Sequence, residues 1–454
     1  CMCFLYDAAF AIINMKIHIL GIGGTFMAGI AIIAKQLGHD VSGSDKNLYD
    51  PMKSVLINNK IRFTENYNSS VIKKNIDLVI VGNVMTRGIK VIEELLSKRI
   101  KFCSGPEWLY DNVLINKKVI AVSGTHGKTT TSSLIASILK FGKLNPSYLI
   151  GGMPIGFDAP AKYTKSDYFV IEADEYDTSF FDKRSKFMHY HPWIFVINNI
   201  EFDHADIFDD TESIIRSFHH VVRTIPNNGT IVYNKDDKNI KKLLKKGIWS
   251  KKISFSINKK SSADWILSEK QNYFLSYGSK KYEINSPLIG LHNYKNISLA
   301  LIAAKISGIP LSQSLKAIEK FKGVKRRMEF VGKINEMEIY DDFAHHPTEV
   351  ESSIISLKKK FKGKKVLAIC EIKSNSMISG IHKNNLIKAL NKAHQSILVK
   401  SHMYKWGINN NPKIKVIESY SKIHDYIKSN RIKFDIVLIM SNKSTKTLRD
   451  EFQK

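Results

Sequence analysis

The strongest constraint on the fold is one short stretch, residues 119–131, which reads VIAVSGTHGKTTT. An apolar, β-branched run enters a glycine turn, and the helix-like segment SSLIASILKFG follows. A strand, a glycine turn and a helix hold nucleotide phosphates well, because the glycines let backbone N–H groups face the phosphates and the helix N-terminus is positive. The stretch therefore predicts a phosphate-binding loop within an α/β fold.

The spacing of this loop departs from the common phosphate-loop rule. GxxxxGK[ST] requires a glycine where Val122 stands, so the loop is a shortened GTxGKT form. Lys128 is expected to meet the β- and γ-phosphate oxygens, and the Thr129 hydroxyl is expected to hold Mg²⁺. The alternative, a tight turn that carries a surface lysine, explains less of the surrounding sequence.

Length and composition predict several globular domains. The 454 residues should form two to four domains, with 43% hydrophobic and 24% charged residues. No apolar run reaches the roughly 18 residues that span a bilayer. Residues 1–14 lack the basic region and cleavage site of a signal peptide, so we expect extra sequence ahead of a start at Met15. The expectation is a cytoplasmic protein with no membrane partner.

The net charge of +27 makes nucleic-acid binding an alternative to consider. Only 10 of the 69 basic residues are Arg, the side chain that best contacts bases and phosphates. The lysines form short, scattered clusters, a pattern typical of solvated surfaces or of an AT-rich genome. We therefore expect no nucleic-acid partner.

The chain opens with a βαβ pattern in which KIHILGIGG, residues 16–24, precedes a helix-like run and a second strand ends at Asp45. The glycine turn can seat a diphosphate, and Asp45 can accept hydrogen bonds from a ribose or a base. The fingerprint G-x-G-x-x-G is absent because Phe26 stands at its last glycine. An NAD-dependent oxidoreductase or a simple nucleotide-binding module stays open as an alternative.

Two strands predicted in the second unit end in groups that suit a cation. One leads into EADEYD, residues 172–177, whose four carboxylates repel one another unless a cation is present. The other leads into NNIEFDH, which ends at His204. We expect a Mg²⁺ role for at least one carboxylate, with an acidic surface loop as the alternative. His204 is expected to hold a second metal or to contact substrate, with an ordinary structural histidine as the alternative.

Later motifs place polar side chains at a helix start and at strand ends. The turn at 290–296, GLHNYKN, either caps a helix or reads an adenine edge. Arg326 and Arg327 stand at a boundary where arginines clamp a phosphate or remain solvated linker charges. Beyond them, strands that end in DDFAHHPTE and EIKSNS alternate with helices, which predicts a third α/β unit.

Taken together, these motifs resemble the Mur ligase family, the ATP-dependent amide ligases of bacterial cell-wall synthesis. The resemblance rests on GIGGTFM, SGTHGKTTT, EADE, NIEFDHAD, the HN-x-x-N turn and DDFAHHPTE, and it covers nearly the whole chain. It implies an α/β fold of three domains. These are a Rossmann-like UDP-sugar-binding domain at 15–116, a phosphate-loop ATPase-like central domain at 117–323 and a Rossmann-like C-terminal peptide-binding domain at 324–454.

The resemblance also implies roles for individual residues, with ATP and Mg²⁺ as cofactors. The residues expected to be catalytic are Lys128, Glu172 and His204, and those expected to hold metal are Thr129, Glu172 and His204. The residues expected to bind ATP are Gly124, Thr125, His126, Gly127, Lys128, Thr129, Thr130, Asn296, Arg327 and Asp341. The residues expected to bind the UDP-sugar are Gly23, Gly24, Thr25, Phe26, Met27, Asp45, Asn83 and Thr86, and those expected to bind peptide are His345, Lys373, Ser374 and Asn375.

Three stretches resemble one branch of the family in particular: GNVMTRG at 82–88, EADEYDTSFFDKRSKF at 172–187 and NIEFDHADIFDD at 199–210. That branch joins UDP-N-acetylmuramate to the recycled tripeptide L-alanyl-γ-D-glutamyl-meso-diaminopimelate through an acyl phosphate. The branch that adds L-alanine to UDP-N-acetylmuramate is the alternative, and it typically reads EADESD where this chain has Tyr176.

Three departures from family patterns bear on this expectation. Residues 205–222 contain no lysine, so the carbamylated lysine of several members is absent, as expected for this branch. Where that branch usually reads Glu-Pro-Arg-Ser-Asn, this chain has Ile372 and Lys373, which keep a positive charge without the guanidinium fork. After Asn442, KSTK replaces an expected glycine-rich turn. The last two departures fall in the third unit, where the peptide is expected to bind.

Overall fold

The computed structural model describes residues 14–72, 75–334, 336–400, 404, 406–408, 411–430 and 433–452. Three sheets follow one another along the chain, and each is the centre of one α/β unit. Of the extra segment expected at 1–14, all but the last residue lies outside the described residues. None of the described helices has the length and apolar character needed to cross a membrane.

The first unit is a parallel sheet with helices around it. Its elements are β1 (Lys16–Leu20), α1 (Thr25–Gln36), β2 (Asp40–Ser44), α2 (Met52–Asn58), β3 (Arg62–Thr64), β4 (Leu78–Val81), α3 (Lys90–Ser97), β5 (Phe102–Ser104) and α4 (Gly105–Asn112). The strand order is β3-β2-β1-β4-β5, and β4 is buried at every residue, as expected for a strand covered on both faces. The order reverses beside β1, and ligands bind at such switch points.

The central unit carries the phosphate loop on a ten-stranded sheet. Its elements are β6 (Lys118–Ser123), α5 (Lys128–Phe141), β7 (Ser147–Leu149), β8 (Ala161–Lys162), β9 (Tyr168–Glu172), β10 (Ile194–Ile197), α6 (Thr211–Val222), β11 (Thr230–Asn234), α7 (Lys238–Lys245), β12 (Lys251–Ser256), β13 (Trp265–Glu269), β14 (Tyr273–Tyr277), β15 (Lys280–Ile284), α8 (Leu291–Ile306) and α9 (Leu311–Glu319). Strand β6 lies between β9 and β10 in parallel register, so the ends of all three strands meet at one edge.

The third unit is a six-stranded sheet in which one edge strand is antiparallel. Its elements are β16 (Glu329–Ile334), β17 (Met337–Asp342), α10 (Pro347–Lys360), β18 (Val366–Glu371), α11 (Asn375–Ile378), α12 (Lys383–Leu390), β19 (Gln395–Val399), β20 (Ile414–Ile417), α13 (Tyr420–Asn430), β21 (Ile436–Met440) and α14 (Lys446–Phe452). The strand order is β16-β17-β21-β18-β19-β20.

One hydrophobic core extends through both the first and the central unit. It includes Trp108 of the first unit together with Leu149 and Phe169 of the central unit. Gly29 of α1 lies so close to the central unit that a Cβ there would stand 3.1 Å from the side chains of Leu149 and Ala161. The third unit, by contrast, buries its apolar residues in two cores of its own.

The structure extends one predicted strand and adds several. The strand expected at 338–340 runs from Met337 to Asp342, so Asp341 belongs to the sheet rather than to the loop that follows it. No strand was expected between residues 230 and 284, where the structure has β11 to β15. The last two, YFLSY and KKYEI, pair in an antiparallel hairpin at the sheet edge, where exposure weakens the apolar pattern.

Candidate active site

The phosphate loop between β6 and α5 is held in a shape that requires glycine. Gly127 has a positive φ of 82°, and a Cβ there would stand 2.5 Å from Asn296 Oδ1 and 2.6 Å from Asn198 Nδ2. The backbone N–H of His126 donates to Asn199 Oδ1 at 2.8 Å. Asparagines from the end of β10 and from α8 therefore fix the turn that precedes the N-terminus of α5.

Lys128 and Thr129, the first residues of α5, each contact a carboxylate. Lys128 Nζ donates to the Gly124 carbonyl oxygen at 2.8 Å and to Glu175 Oε2 at 3.0 Å. The Thr129 hydroxyl donates to Glu172 Oε1 at 3.1 Å. Burial acts to lower the pKa of Lys128, but Glu175 and the neighbouring acids outweigh it and raise that pKa. The lysine is therefore a permanent cation at the helix start.

Glu172 lies at the end of β9, where its carboxylate faces the loop. Its Oε2 accepts a hydrogen bond from the Gly151 backbone N–H at 2.7 Å. Burial raises the pKa of Glu172, and the positive charges of Lys128 and Arg327 oppose that rise. A carboxylate beside a hydroxyl is a pair of oxygen donors of the kind that Mg²⁺ prefers, so Thr129 and Glu172 fit this ion.

His204 pairs with Glu175 rather than directly with Glu172. Its Nε2 lies 3.2 Å from Glu175 Oε1, and the ligand atoms of Asp174, Glu175 and His204 all lie within 4.8 Å of one another. Burial acts to lower the pKa of His204, but Glu175 outweighs it and raises that pKa. The backbone of His204 has a positive φ of 55°, a conformation that is uncommon for a residue other than glycine. These three residues form a second place where a cation fits.

Lys186 lies between this acidic group and the first unit. Its Nζ lies 3.2 Å from Asp174 Oδ2, and it stands 5.8 Å from the ring centre of Phe26 on α1. The Lys186 side chain is only 11% exposed. No role was expected for this residue from the sequence, although it belongs to the DKRSKF stretch that distinguished the branch.

A group of histidines and glutamates joins the loop to the third unit. His126 Nδ1 lies 3.3 Å from Glu349 Oε1, and its Nε2 lies 3.5 Å from Glu201 Oε2. The Thr348 hydroxyl donates to Glu201 at 2.7 Å, and the His346 ring lies 4.7 Å from the His126 ring. Burial acts to lower the pKa of His126, but Glu349 and Glu201 outweigh it and raise that pKa to about 10. His126 is therefore a cation between two carboxylates.

A cavity of about 320 Å³ lies between the central and third units beside this group. Gly127 and Thr130 of the loop line it, as do Asn296 and Arg327. Arg327 Nη2 also donates to the Thr129 hydroxyl at 3.2 Å, so this arginine reaches across the domain boundary. His126 also lines the cavity, whereas four other loop residues expected at the ATP site are not among its lining residues: Gly124, Thr125, Lys128 and Thr129.

Asp341 is the exception among the residues expected to bind ATP. Its side chain is fully buried, accepts a hydrogen bond from the Thr445 hydroxyl at 2.6 Å and lies 3.4 Å from Arg326 Nε. The next residue, Asp342, lines the cavity instead. The longer β17 explains this placement, because neighbouring residues of a strand point to opposite faces.

The residues expected to bind the UDP-sugar lie at the ends of three neighbouring strands of the first unit, β2, β1 and β4. The Gly23 backbone N–H donates to Asp45 Oδ2 at 2.8 Å, and α1 begins two residues later at Thr25. Gly24 precedes α1, and Phe26 is partly buried, whereas Met27 is buried in the core. The two residues expected after β4 are both exposed: Asn83 and Thr86.

The residues expected to bind peptide lie on two segments of the third unit. Asn375 Nδ2 donates to Asp206 Oδ2 of the central unit at 3.1 Å, and Lys373 Nζ lies 3.3 Å from Glu371. The Ser374 hydroxyl is buried without a hydrogen-bond partner. His345 Nδ1 lies 3.5 Å from Glu349 Oε2, so His345 adjoins the histidine group rather than the 373–375 segment.

Fold and site together define a nucleotide-dependent enzyme of three α/β domains with its phosphate loop at their meeting point. The Mur ligase family catalytic domain matches residues 16–114, the Mur ligase middle domain matches residues 122–304, and the Mur ligase glutamate ligase domain matches residues 326–442. The chain belongs to the Mur ligase family, whose members are ATP-dependent ligases.

Individual relatives cover almost the whole chain. It is 40% identical over 435 residues to the UDP-N-acetylmuramate–L-alanyl-γ-D-glutamyl-meso-2,6-diaminoheptandioate ligase of Haemophilus influenzae, covering 94% of this chain and 96% of that protein. It is 42% identical over 396 residues to the ligase of the same name from Escherichia coli, covering 87% of each. The crystal structure of a murein peptide ligase from Psychrobacter arcticus has a TM-score of 0.77 and 35% identity, covering 97% of this chain and 98% of that one.

Proposed function

We propose that this chain joins UDP-N-acetylmuramate to the tripeptide L-alanyl-γ-D-glutamyl-meso-diaminopimelate, with ATP, in murein recycling. The names of the H. influenzae and E. coli relatives state the two substrates of this reaction. The observation that carries the proposal is the position of Lys128 and Thr129 at the start of α5, where Lys128 pairs with Glu175 and Arg327 of the third unit donates to Thr129. Since ATP and UDP-linked sugars are cytoplasmic metabolites, the proposal includes a cytoplasmic location.

The reaction begins with transfer of the γ-phosphoryl group of ATP to the lactyl carboxylate of the sugar nucleotide, which gives an acyl phosphate and ADP. Lys128 would bind the γ-phosphate and neutralise the charge that spreads over its oxygens. Arg327 would add a second positive charge from across the boundary. The free amine of the tripeptide then attacks the acyl carbon, and inorganic phosphate leaves as the amide forms.

Thr129, Glu172 and His204 are the residues that we propose to hold Mg²⁺. Thr129 and Glu172 supply a hydroxyl and a carboxylate in contact, while His204 stands with Glu175 and Asp174 as a second group. Bound there, the ion would neutralise phosphate oxygens during the transfer. Against the effect of burial, Lys186 and Lys128 lower the pKa of Asp174, and Lys128 and His204 lower the pKa of Glu175, so these two carboxylates stay ionised at neutral pH.

Closure of the third unit over the loop would exclude water from the acyl phosphate. Contacts between the units already surround the cavity: Arg327 with Thr129, and His126 with Glu349. On the acceptor side, Asn375 contacts Asp206 beside His204, and the peptide would enter along this wall. Lys373 and Ser374 lie next to it and would meet carboxylate groups of the peptide.

The alternative within the family is the addition of free L-alanine to the same sugar nucleotide. Tyr176 and the longer segment that follows it disfavour this alternative, because the alanine-adding branch typically reads EADESD at this position. The alternative outside ligase chemistry is a nicotinamide- or nucleotide-binding module. The first unit lacks the dinucleotide fingerprint, so nothing in its turn favours a nicotinamide cofactor.

An amine-acceptor assay separates these functions. The protein receives MgATP and UDP-N-acetylmuramate with either L-alanine or the tripeptide, and both phosphate and the product mass are measured. We expect phosphate release and a UDP-N-acetylmuramoyl-tripeptide only with the tripeptide. Equal turnover with L-alanine would assign the chain to the alanine-adding branch, and a nicotinamide-dependent absorbance change without amide product would overturn the ligase.

A further inference from the structure

The segment between β9 and β10 folds back on itself and places Lys186 beside the start of α1. The Lys186 backbone N–H donates to the Tyr176 carbonyl oxygen at 2.9 Å, and Asp177 pairs with Ser185 as an antiparallel bridge. The Thr178 backbone N–H donates to the Arg184 carbonyl oxygen at 3.0 Å. The segment is therefore a closed hairpin rather than a loose loop.

This hairpin is anchored to the first unit by aromatic contacts. Phe181 packs edge-to-face on Phe102 of β5, with the ring centres 5.1 Å apart, and Phe180 packs against the core around β4. Lys186 itself stands 5.8 Å from the ring centre of Phe26 and 5.7 Å from that of Tyr176. Its ammonium group is thus held between the sugar-nucleotide side of the first unit and the acidic region of the central unit.

Most of the charged groups around this ammonium group are acidic, so an incoming donor carboxylate needs a positive group beside it. Three carboxylates lie near the start of α5: Glu172 contacts Thr129, Glu175 contacts Lys128, and Asp174 contacts Lys186. Lys128 contacts the Gly124 carbonyl oxygen and Glu175, and it would bind the γ-phosphate when ATP is present. A donor carboxylate that enters from the first unit therefore meets negative charge, and repulsion rises steeply where water is excluded. Lys186, whose side chain is 11% exposed, supplies a positive charge on that side.

We propose that Lys186 is a positioning residue that binds the lactyl carboxylate of the donor and brings it to the phosphate. The Asp174 carboxylate holds the ammonium group before the donor arrives, and the donor carboxylate would share it afterwards. This inference rests on the proposed function for the identity of the donor. It gives the DKRSKF segment a physical role: it recognises the anion that is to be activated.

A binding cycle tests the inference without any turnover. UDP-N-acetylmuramate and UDP-N-acetylglucosamine differ by the lactyl group, so their affinity ratio measures what that group contributes, and a change of the ratio in a lysine variant reports on its carboxylate. The ratio is measured by calorimetry for the wild-type protein, Lys186→Met, Lys186→Arg and Lys183→Met. Lys183 is the matched control because it lies in the same hairpin, is 71% exposed and pairs with Asp177 on the outside.

We expect only Lys186→Met to lose its preference for UDP-N-acetylmuramate over UDP-N-acetylglucosamine. In Lys186→Met the affinity ratio should fall about 10- to 100-fold, the usual size of a hydrogen bond to a charged group. Affinity for UDP-N-acetylglucosamine should stay within about twofold, which also shows that the variant is folded. Lys186→Arg should keep most of the ratio, and Lys183→Met all of it. An unchanged ratio in Lys186→Met would overturn the inference.

Steady-state kinetics separates this inference from the proposed function. For Lys186→Met, the KM for UDP-N-acetylmuramate should rise about 10- to 100-fold, with the KM values for ATP and tripeptide within about twofold. A rise in the tripeptide KM alone would show that Lys186 reads the acceptor and would refute the inference. Absence of tripeptide product from the wild-type protein would refute the proposed function, while the binding cycle would still report on Lys186.

Discussion

The two junctions between the units are built from opposite kinds of contact. Between the first and central units, Gly29 packs against Leu149 and Ala161, and one apolar core crosses the boundary. Between the central and third units, the contacts are mainly charged and polar, as between His126 and Glu349, and Ile289 of the central unit adds an apolar contact to a core of the third unit. Apolar burial is non-directional and resists separation, whereas charged contacts depend on geometry, salt and protonation.

This difference assigns a task to each part of the molecule. The first and central units form one body that would hold the donor carboxylate against the phosphate loop. The third unit has its own cores and touches that body through pairs such as Asn375 with Asp206 and Ser376 with Asp203. We infer that it moves relative to the body, closing the cavity for phosphoryl transfer and opening it for exchange of ligands.

The largest effect is expected at Lys128, which belongs to the fixed body. Lys128→Ala should lower kcat by about 100- to 1,000-fold because it removes the cation aimed at the transferred phosphate. Binding of UDP-N-acetylmuramate should persist, since the first unit and Lys186 are untouched. Phosphate release and calorimetry measure the two properties separately. Turnover near the wild-type rate would show that the loop has no catalytic part.

The next effect tests whether the first two units unfold together. Leu149→Ala removes a buried side chain at their shared core and should cost about 2–5 kcal/mol of unfolding free energy. In denaturant, it should shift the transition of the first and central units as one. Leu386→Ala, in a core of the third unit, is the matched control and should shift a separate transition. Separate unfolding transitions of the first and central units would contradict the claim that they form one body.

A smaller effect is expected at the charged junction. Glu349→Gln removes one of the two carboxylates that hold His126, and it should weaken the closed arrangement by about 1–3 kcal/mol. The expected readouts are a lower kcat and a less compact scattering profile with ATP bound. Glu351→Gln is the control, because Glu351 lies on the same helix, is 43% exposed and pairs with Lys392. Equal behaviour of the two variants would contradict a role for the His126 pair.

The smallest effect is a pH dependence at the same junction. The pKa of His126 is raised to about 10 from an ordinary value of 6.5, so its contribution is fully present below pH 6.5 and is lost as pH rises through 10. The pKa of Glu201 is lowered to about 2, so that carboxylate stays ionised in this window. Compaction of the wild-type protein should weaken from pH 7 to 10 more than that of Glu349→Gln. Parallel pH curves would exclude His126 as the source.

The sequence predicted those parts of the site that depend on local order along the chain. The loop at 124–130 and the acids after β9 follow directly from strand, turn and helix patterns, and parallel strands bring their ends to one edge. The pairing of His204 with Glu175 depends instead on how the segments after β10 and β9 fold toward each other, which no spacing rule indicates. Lys186 was not predicted because it lies in a hairpin, whereas the predicted residues follow the ends of strands.

Small errors in strand length had larger consequences in the third unit. Because β17 extends to Asp342, Asp341 and Asp342 point to opposite faces of the strand. Asp341 is on the buried face, and Asp342 lines the cavity. The contact between Asn375 and Asp206 joins residues that are 169 positions apart, and it depends on how two units pack. Such contacts are set by tertiary structure and leave no periodic signal in the sequence.

The most direct test of the division into a fixed body and a moving unit is a pair of distances in solution. Spin labels at exposed positions, with the native cysteines replaced, would report the separation of Asn58 from Lys259 and of Lys259 from Val416. On addition of ATP and UDP-N-acetylmuramate, the first distance should stay within about 2 Å and the second should change by more than that. A shift in the first distance with a constant second one would contradict the account.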